Sequence, residues 1–178
     1  MKIRCNSYTE AGYQPIPGVR LDDTEYARAL QRFVPACADI VVIDKKEQLF
    51  YLAARTSKPI AGWWWIGGGI QAGMSKEEAA VVGFKRETGL TLSTERLVLV
   101  AVNDYRLKDR AQEPQDIGCH MLGYIFAVEL SEEERASLVL DPNEYQSGSS
   151  LVGFNRHALV AASVFPAALD LYDDLFPS

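Results

Sequence analysis

The feature that most constrains this fold is a glycine-rich turn that leads into a capped helix. Residues 67–69 are all glycine, and Ser75 shortly afterwards opens a helical pattern. Ser75 and Glu78 have the spacing of a capping box, and Gly89 stands where a helix C-cap glycine belongs. Glycines let a backbone approach a ligand closely, and helix N-termini attract phosphate. On these cues alone, an ordinary strand–loop–helix turn is an equally good interpretation.

Apolar runs and turn residues divide the rest of the chain into mixed strands and helices. The predicted strands cover residues 36–43, 49–54, 63–66, 97–102, 121–128 and 149–154. The predicted helices cover residues 22–33, 75–88, 132–136 and 156–176, the last with a kink or restart at Pro166. Because strands and helices do not alternate regularly, we expect an α+β fold with a mixed sheet flanked by helices. Residues 103–118, which are charged and contain Pro114, predict a long loop.

Length and composition favour one folded domain over 1–178, with 1–20 as an N-terminal extension. The 178 residues are 48% hydrophobic, which allows a substantial core. A net charge of −6, from 24 acidic and 18 basic residues, argues against a nucleic-acid binder. Cys5, Cys37 and Cys119 have no disulfide-framework or zinc spacing. Without a signal peptide or a long apolar run, we expect a cytoplasmic protein that does not bind membranes.

The stretch from Gly68 to Leu90 resembles the Nudix box. That box is written G-x5-E-x7-R-E-U-x-E-E-x-G-U, where U is an aliphatic or aromatic residue. With the final glycine of the box at Gly89, its first glycine falls on Gly68, and Phe84, Glu87 and Leu90 also match. The resemblance implies the Nudix fold, a mixed β-sheet sandwiched between α-helices.

The metal-binding chemistry of the box is only partly present. In the family, three glutamates bind a divalent metal, and spacings of i, i+3 and i+4 place them on one helix face. The corresponding residues here are Gly83, Arg86 and Glu87. With one carboxylate left, the resemblance implies a single Mg²⁺ at Glu87 and Gly69, or no metal at all.

Within the Nudix fold, the chain is most similar to the GDP-mannose mannosyl hydrolase group. Residues 55–64 read R-T-S-K-P-I-A-G-W-W, which is similar to the R-T-x-[RK]-P-x-x-G-x-W run of that group. Asp39 lies where the group has a strand aspartate, and Asp116 and His120 suit its D-x-x-x-H motif. The resemblance implies a nucleotide-sugar substrate and attack of water on the sugar carbon. A homodimer is the usual assembly of the group.

The same resemblance implies roles for individual side chains. Arg55 matches the arginine that stabilises charge on the departing diphosphate, and Lys58 belongs to the same run as a candidate substrate contact. His120 matches a histidine that contacts the nucleotide or the sugar. The group's catalytic base lies before the last strand, where this chain has no histidine. Glu144 and Gln146 are the candidate replacements.

Other expectations come from side-chain chemistry. Asp39 lies in an apolar strand, which predicts burial with a hydrogen-bond partner, and His120 is a candidate partner. Arg86 suggests a guanidinium that grips diphosphate oxygens in the place of a metal, against the alternative of a surface ion pair. Strand alternation predicts that Trp64 faces away from its two tryptophan neighbours. Core packing is the expected role of each tryptophan, and base stacking is the alternative for Trp63 or Trp65.

Two functions are left open by the sequence. The first is a Mg²⁺-dependent hydrolase of a nucleoside diphosphate derivative, with Glu87, Arg55 and Glu144 as catalytic residues. The second is a Nudix-fold protein without catalysis that binds a nucleotide or nucleotide sugar as a sensor or carrier. The two missing box glutamates favour the second function, whereas Glu87, Arg55, Asp39 and His120 favour the first.

Overall fold

The computed structural model describes residues 5–16 and 18–177 as a mixed β-sheet with helices on both faces. The strands are β1 (Ala36–Asp44), β2 (Leu49–Arg55), β3 (Gly62–Trp64), β4 (Ile66–Gly69), β5 (Val98–Leu107), β6 (Cys119–Glu129) and β7 (Val152–Phe154). The helices are α1 (Asp23–Leu30), α2 (Lys76–Thr88), α3 (Glu132–Ser137), α4 (Arg156–Ala161) and α5 (Pro166–Leu175). The predicted α+β fold is confirmed.

Strand β1 lies at the centre of the sheet, whose order is β3-β2-β1-β6-β5. It runs parallel to β6 and antiparallel to both β2 and β4. Strand β4 pairs with the first half of β1 and β2 pairs with the second half, so the ends of β2 and β4 meet beside β1. This junction brings the glycine-rich turn close to the end of β2.

Side chains of β1 alternate between two apolar cores. Val41 packs with Leu171 of α5 on one face of the sheet. Ile40 packs with Phe84 of α2 on the other face. All four side chains are buried, and burial of each contributes about 1.5–3 kcal/mol to folding.

Helix α2 has both predicted caps. The Ser75 side chain accepts from the Glu78 N–H, the Glu78 side chain accepts in return, and Gly89 ends the helix with φ 76°. At Gly83 the helix faces β4, and a Cβ there would lie 3.6 Å from the Gly67 backbone, an ordinary van der Waals distance. Helix α2 therefore packs directly on the turn.

The described part of the predicted N-terminal extension, 5–16 and 18–20, contains no helix or strand. Residues 1–4 and 17 of that extension lie outside the described residues. Along 5–16 and 18–177, no helix has the length and apolar character needed to cross a bilayer.

The predicted loop over 103–118 was wrong in its first part. Strand β5 continues to Leu107 because each residue from Ala101 onwards pairs with β6, and the last pair is Leu107 with Cys119. The loop is therefore 108–118. The predicted restart at Pro166 is confirmed, since α5 begins there.

The predicted alternation of the tryptophans was also wrong. Trp64 and Trp65 are buried in the same core, with ring centroids 4.0 Å apart. The reason is that Trp65 lies between two strands: β3 ends at Trp64 and pairs with β2, whereas β4 begins at Ile66 and pairs with β1. Strand alternation does not continue across such an interruption.

Candidate functional site

A cavity of about 250 Å³ lies at the ends of β1, β2 and β4. Its polar wall contains Arg55, Ser57, Lys58, Glu144 and Asp39. Its apolar wall contains Tyr26, Leu30, Trp64, Tyr105, Leu107 and Met121. The glycines at 67–69 also line the cavity, so the turn singled out in the sequence does border a space that a ligand can enter.

Arg55, at the end of β2, belongs to a hydrogen-bonded triangle. Its Nη2 donates to Glu144 Oε2 at 3.1 Å, and its Nε donates to Ser57 Oγ at 2.8 Å. The Ser57 hydroxyl in turn donates to Glu144 Oε2. Arg55 Nη1 makes no hydrogen bond within residues 5–16 and 18–177. The triangle thus fixes the guanidinium in the cavity wall while one of its nitrogens stays available.

Backbone hydrogen bonds hold Glu144 in this position. The Thr56 N–H donates to the Glu144 carbonyl, and the Gln146 N–H donates to the Ala54 carbonyl, each at 2.9 Å. The Asp141 N–H donates to the last turn of α2, also at 2.9 Å. This segment therefore connects α2 with the end of β2. Of the two candidate bases, Glu144 lines the cavity and Gln146 is exposed outside it.

Glu87, the candidate metal ligand on α2, is enclosed within the protein. Its side chain is 2% exposed. Oε1 accepts from Arg86 Nη2, and Oε2 accepts from the hydroxyl of Tyr145. Burial raises the pKa of Glu87, whereas the Tyr145 hydrogen bond and the Arg86 charge oppose the rise. Tyr145 was missed by the sequence analysis because a tyrosine in a loop carries no signal of such a contact.

The carboxylates of α2 do not fit a divalent metal. Both oxygens of Glu87 have donors inside the protein, and Gly83 and Arg86 supply no side-chain oxygen. Across the part of the chain that the structure describes, no three His, Cys, Asp or Glu side chains are grouped to hold a metal. Gly69 lines the cavity but offers only its backbone. A Mg²⁺ ion at Glu87 and Gly69 is thus not supported by the residues present.

Arg86 lies against the glycine turn. Its Nη2 would be 3.2 Å from a Cβ placed on Gly68, so the turn leaves room for the guanidinium. The side chain is 47% exposed and pairs with Glu87. The expected surface ion pair is therefore present. Arg86 does not line the cavity, and a grip on diphosphate oxygens stays a prediction.

Asp39 is buried in the cavity wall. A Cβ on Gly67 would collide with its carboxylate, so only glycine fits opposite it. Burial raises the pKa of Asp39 to about 7. The negative charge of Glu87 adds to this rise, and the positive charge of Arg55 opposes it. Burial also raises the pKa of the Cys37 thiol, which keeps its proton and donates to Asp39 Oδ2 at 3.7 Å. Near neutral pH, Asp39 can therefore both accept and release a proton.

The predicted pairing of Asp39 with His120 was wrong. His120 Nε2 lies 2.5 Å from Asp104 Oδ1 on the neighbouring strand. The cause is strand alternation: Cys119 and Met121 line the cavity, so His120 points away from it. The structure thus separates His120 from the other candidate residues.

The two remaining candidates differ in their access to the cavity. Lys58 lines it, and its Nζ donates to Gln115 Oε1 at 3.1 Å. Trp65 is 1% exposed and lies in the core, while Trp64 borders the cavity instead. Stacking of a base on Trp65 is thus incompatible with this packing.

Arg110 is a further cavity residue that the sequence analysis missed. It lies in the loop 108–118, yet its side chain is buried and lines the cavity. Its neighbours Lys108 and Asp109 are also charged, so nothing in the sequence distinguishes the one buried arginine. The cavity therefore has a cation in each of two regions, Arg55 at the end of β2 and Arg110 beside α1 and β6.

Comparisons with known proteins agree with this architecture. A MutT Nudix hydrolase from Burkholderia pseudomallei is 17% identical with a TM-score of 0.59, covering 80% of this chain and 98% of that protein. The E. coli dihydroneopterin triphosphate pyrophosphohydrolase is 14% identical with a TM-score of 0.57, covering 78% and 92%. A MutT/nudix family protein from Enterococcus faecalis is 14% identical with a TM-score of 0.50, covering 76% of this chain. This chain spans only 57% of that last protein.

These identities are too low to show more than a common fold. A search of curated proteins found no match. The NUDIX domain family, however, matches residues 34–165, which include β1, the glycine turn, α2 and the loop that carries Glu144. The chain therefore belongs to the Nudix family.

Proposed function

We propose that this protein binds a nucleoside diphosphate derivative in the cavity and hydrolyses it. The observation that carries the proposal is the meeting of two cations, Arg55 and Lys58, with two carboxylates, Asp39 and Glu144, in one cavity wall. Cations bind phosphate oxygens, and a carboxylate can activate water. Membership of a family of hydrolases supports the same conclusion.

Arg55 is proposed to stabilise the negative charge of the departing diphosphate. Its Nη1 is the nitrogen that is left for a phosphate oxygen, because Nε and Nη2 are held by Ser57 and Glu144. A guanidinium fixed in advance stabilises developing charge without reorganisation. Lys58, in the same wall, adds a second positive charge.

Asp39 is proposed to accept the proton of the attacking water. Its pKa of about 7 suits proton transfer near neutral pH, and its Oδ2 accepts a hydrogen bond from the weak Cys37 donor. Glu144 Oε2, by contrast, is held by two donors. Glu144 therefore positions Arg55, and Asp39 is the better candidate base. Water then adds in one of two ways as its proton passes to Asp39. It adds to the sugar carbon while the C–O bond breaks and the nucleoside diphosphate leaves, or it adds to one phosphorus while the bridging P–O bond breaks and a phosphate monoester leaves.

The proposal uses no metal on α2. Members of the Nudix family generally use divalent ions such as Mg²⁺, but the α2 residues of this chain do not fit one. Positive charge for the phosphates comes instead from Arg55 and Lys58 in the wall, with Arg86 beside the turn. A nucleotide-sugar substrate and a homodimer are proposed from the similarity of residues 55–64 to the GDP-mannose mannosyl hydrolase group.

A second candidate is binding without hydrolysis. The observation that favours it is the closed state of Glu87, whose two oxygens are both bonded within the protein. A Nudix helix in this state offers no reactive carboxylate, and the protein would then act as a nucleotide sensor or carrier.

A panel of nucleotide sugars in ¹⁸O-labelled water, with and without Mg²⁺, separates these functions by NMR. We expect turnover of at least one compound. Label in the free sugar identifies attack at carbon, and label in the phosphate identifies attack at phosphorus. Saturable binding without turnover would favour the second candidate. If no compound in the panel binds, both candidates fail.

A further inference from the structure

Arg110 is a buried cation that is held only by neutral carbonyl groups. Its side chain is 1% exposed. Nε donates to the carbonyls of Gln112 at 3.1 Å and Pro114 at 2.9 Å, and Nη2 donates to the carbonyl of Glu113 at 3.0 Å. The loop 108–118 thus wraps around the guanidinium, and Arg110 lines the cavity.

The positive charge of Arg110 has no counter-anion in the described part of the chain. None of the ion pairs within residues 5–16 and 18–177 includes it. Nη1 makes no hydrogen bond to any described residue. Removing a guanidinium from water without a partner is unfavourable, so buried charges are normally paired. A clamp for the loop would need hydrogen-bond donors but no charge.

The position of Arg110 in the cavity indicates which end of a ligand it meets. Phosphate-binding candidates Arg55 and Lys58 belong to the polar wall. Trp64 and Tyr105 form apolar wall of the kind that packs against sugar rings. Arg110 lines the cavity near Cys119. Burial raises the pKa of the Cys119 thiol, and the nearby Arg110 charge opposes this rise.

We propose that Arg110 binds an anionic oxygen group, a carboxylate or a phosphate, on the sugar end of the ligand. The substrate class is then a nucleoside diphosphate linked to an acidic sugar. This inference rests on the proposed function for the nucleotide part, but the anion site can be tested without a nucleotide.

The first test uses three free sugars: glucuronate, glucose 6-phosphate and glucose. Each is titrated into ¹⁵N-labelled protein while the Arg110 Nε–H resonance is followed. We expect an acidic sugar to shift this resonance and to bind about 10- to 100-fold more tightly than glucose, as for hydrogen bonds to charged groups. The tighter of the two acids identifies carboxylate or phosphate. Equal binding of all three sugars, or no shift at Arg110, would overturn the proposal.

Variants separate anion binding from clamping of the loop. Arg110→Gln should abolish the preference for acidic sugars, and Lys108→Gln, which neutralises an exposed charge in the same loop, should keep it. Because Arg110→Gln also disturbs the loop carbonyls, Cys119→Asp is the sharper variant. It leaves Arg110 in place and supplies a carboxylate beside it. Full retention of the acid preference in Cys119→Asp would contradict the proposal.

UDP-glucuronate and UDP-glucose distinguish this inference from the proposed function. We expect kcat/KM to be about 10- to 100-fold higher for UDP-glucuronate, in line with one charged hydrogen-bond pair. Equal kcat/KM for the two would reject the acidic-sugar inference and leave the hydrolase proposal standing. If acidic sugars bind at Arg110 but no nucleoside diphosphate derivative binds, the proposed function fails and the anion site remains.

Discussion

Charged residues on the two sides of the sheet are arranged in opposite ways. Beside α2, Arg86 and Tyr145 each donate a hydrogen bond to Glu87, so both of its oxygens have donors. In the cavity, Arg55 and Arg110 each keep a nitrogen without a hydrogen bond to any described residue. A hydrogen-bond network whose groups all have partners stabilises the fold. A donor nitrogen without a partner inside the protein is free to bond to a ligand. We therefore expect variants beside α2 to change stability and variants in the cavity to change activity.

The largest expected effect is on catalysis, in Asp39→Asn. An amide of the same shape cannot accept the proton from water, so kcat should fall by about 10²–10⁴-fold. Wild-type activity should rise with pH around the Asp39 pKa of about 7, and this limb should be absent from the variant. The pH profile of kcat/KM measures both effects. If Glu144→Gln rather than Asp39→Asn removed the limb, Glu144 would be the base.

The same carboxyl should make stability depend on pH. The pKa of Asp39 is about 7 in the folded protein, against an ordinary value of 3.8. Between these values the folded protein retains a proton that the unfolded chain has released, so the free energy of unfolding falls as pH rises from about 4 to 7. The Asp39 contribution is at most on the order of 4 kcal/mol.

Urea unfolding at pH 4.5 and pH 8 measures this change. Between the two pH values, the free energy of unfolding should fall less in Asp39→Asn than in the wild type. Glu87, whose pKa is also raised, adds a fall of the same sign in both proteins, so their difference isolates Asp39. An identical pH dependence in the two proteins would show that Asp39 is charged throughout this range.

Arg55→Ala should lower kcat by about 10²–10³-fold, the effect of removing one preorganised group that stabilises transition-state charge. Lys85→Ala is the matched control, because Lys85 is an exposed cation outside the cavity. Circular dichroism checks that both variants are folded, and steady-state kinetics measures the loss. Equal activities in the two variants would contradict a role for Arg55 in the reaction.

The smallest effect should come from Tyr145→Phe on the closed side of the comparison. This change leaves one buried oxygen of Glu87 without a donor, so stability should fall by about 1–3 kcal/mol. Activity should change less than about threefold, because Tyr145 is not among the residues that line the cavity. Tyr13→Phe, at an exposed tyrosine, controls for loss of a hydroxyl. A large loss of activity at unchanged stability would make Tyr145 part of the site.

Local rules predicted the elements of this fold well. The caps of α2 depend on residues three positions apart and on a single glycine, so Ser75, Glu78 and Gly89 could be assigned directly. The packing of Trp65 could not, because it depends on a strand interruption that the sequence does not mark. The end of β5 was missed for a similar reason, since its length is set by pairing with β6.

The candidate site was predictable where a motif named its residues. Arg55 and Glu144 come from segments 89 residues apart and do form an ion pair. The prediction for His120 failed because its side-chain direction depends on the register of β6. A slip of one residue in that register would reverse the direction of the side chain. The place of Arg110 in the cavity could not be predicted, because burial of a loop arginine depends on how the loop folds around it.

The central claim is that the cations of the cavity, and not a metal on α2, meet the phosphates. Calorimetric titration of GDP into the wild type, Arg55→Ala and Glu87→Gln, in EDTA and in Mg²⁺, tests it most directly. We predict binding in EDTA, a Kd at least about tenfold weaker in Arg55→Ala, and little change in Glu87→Gln. Binding that disappears in EDTA and in Glu87→Gln but survives Arg55→Ala would contradict the claim.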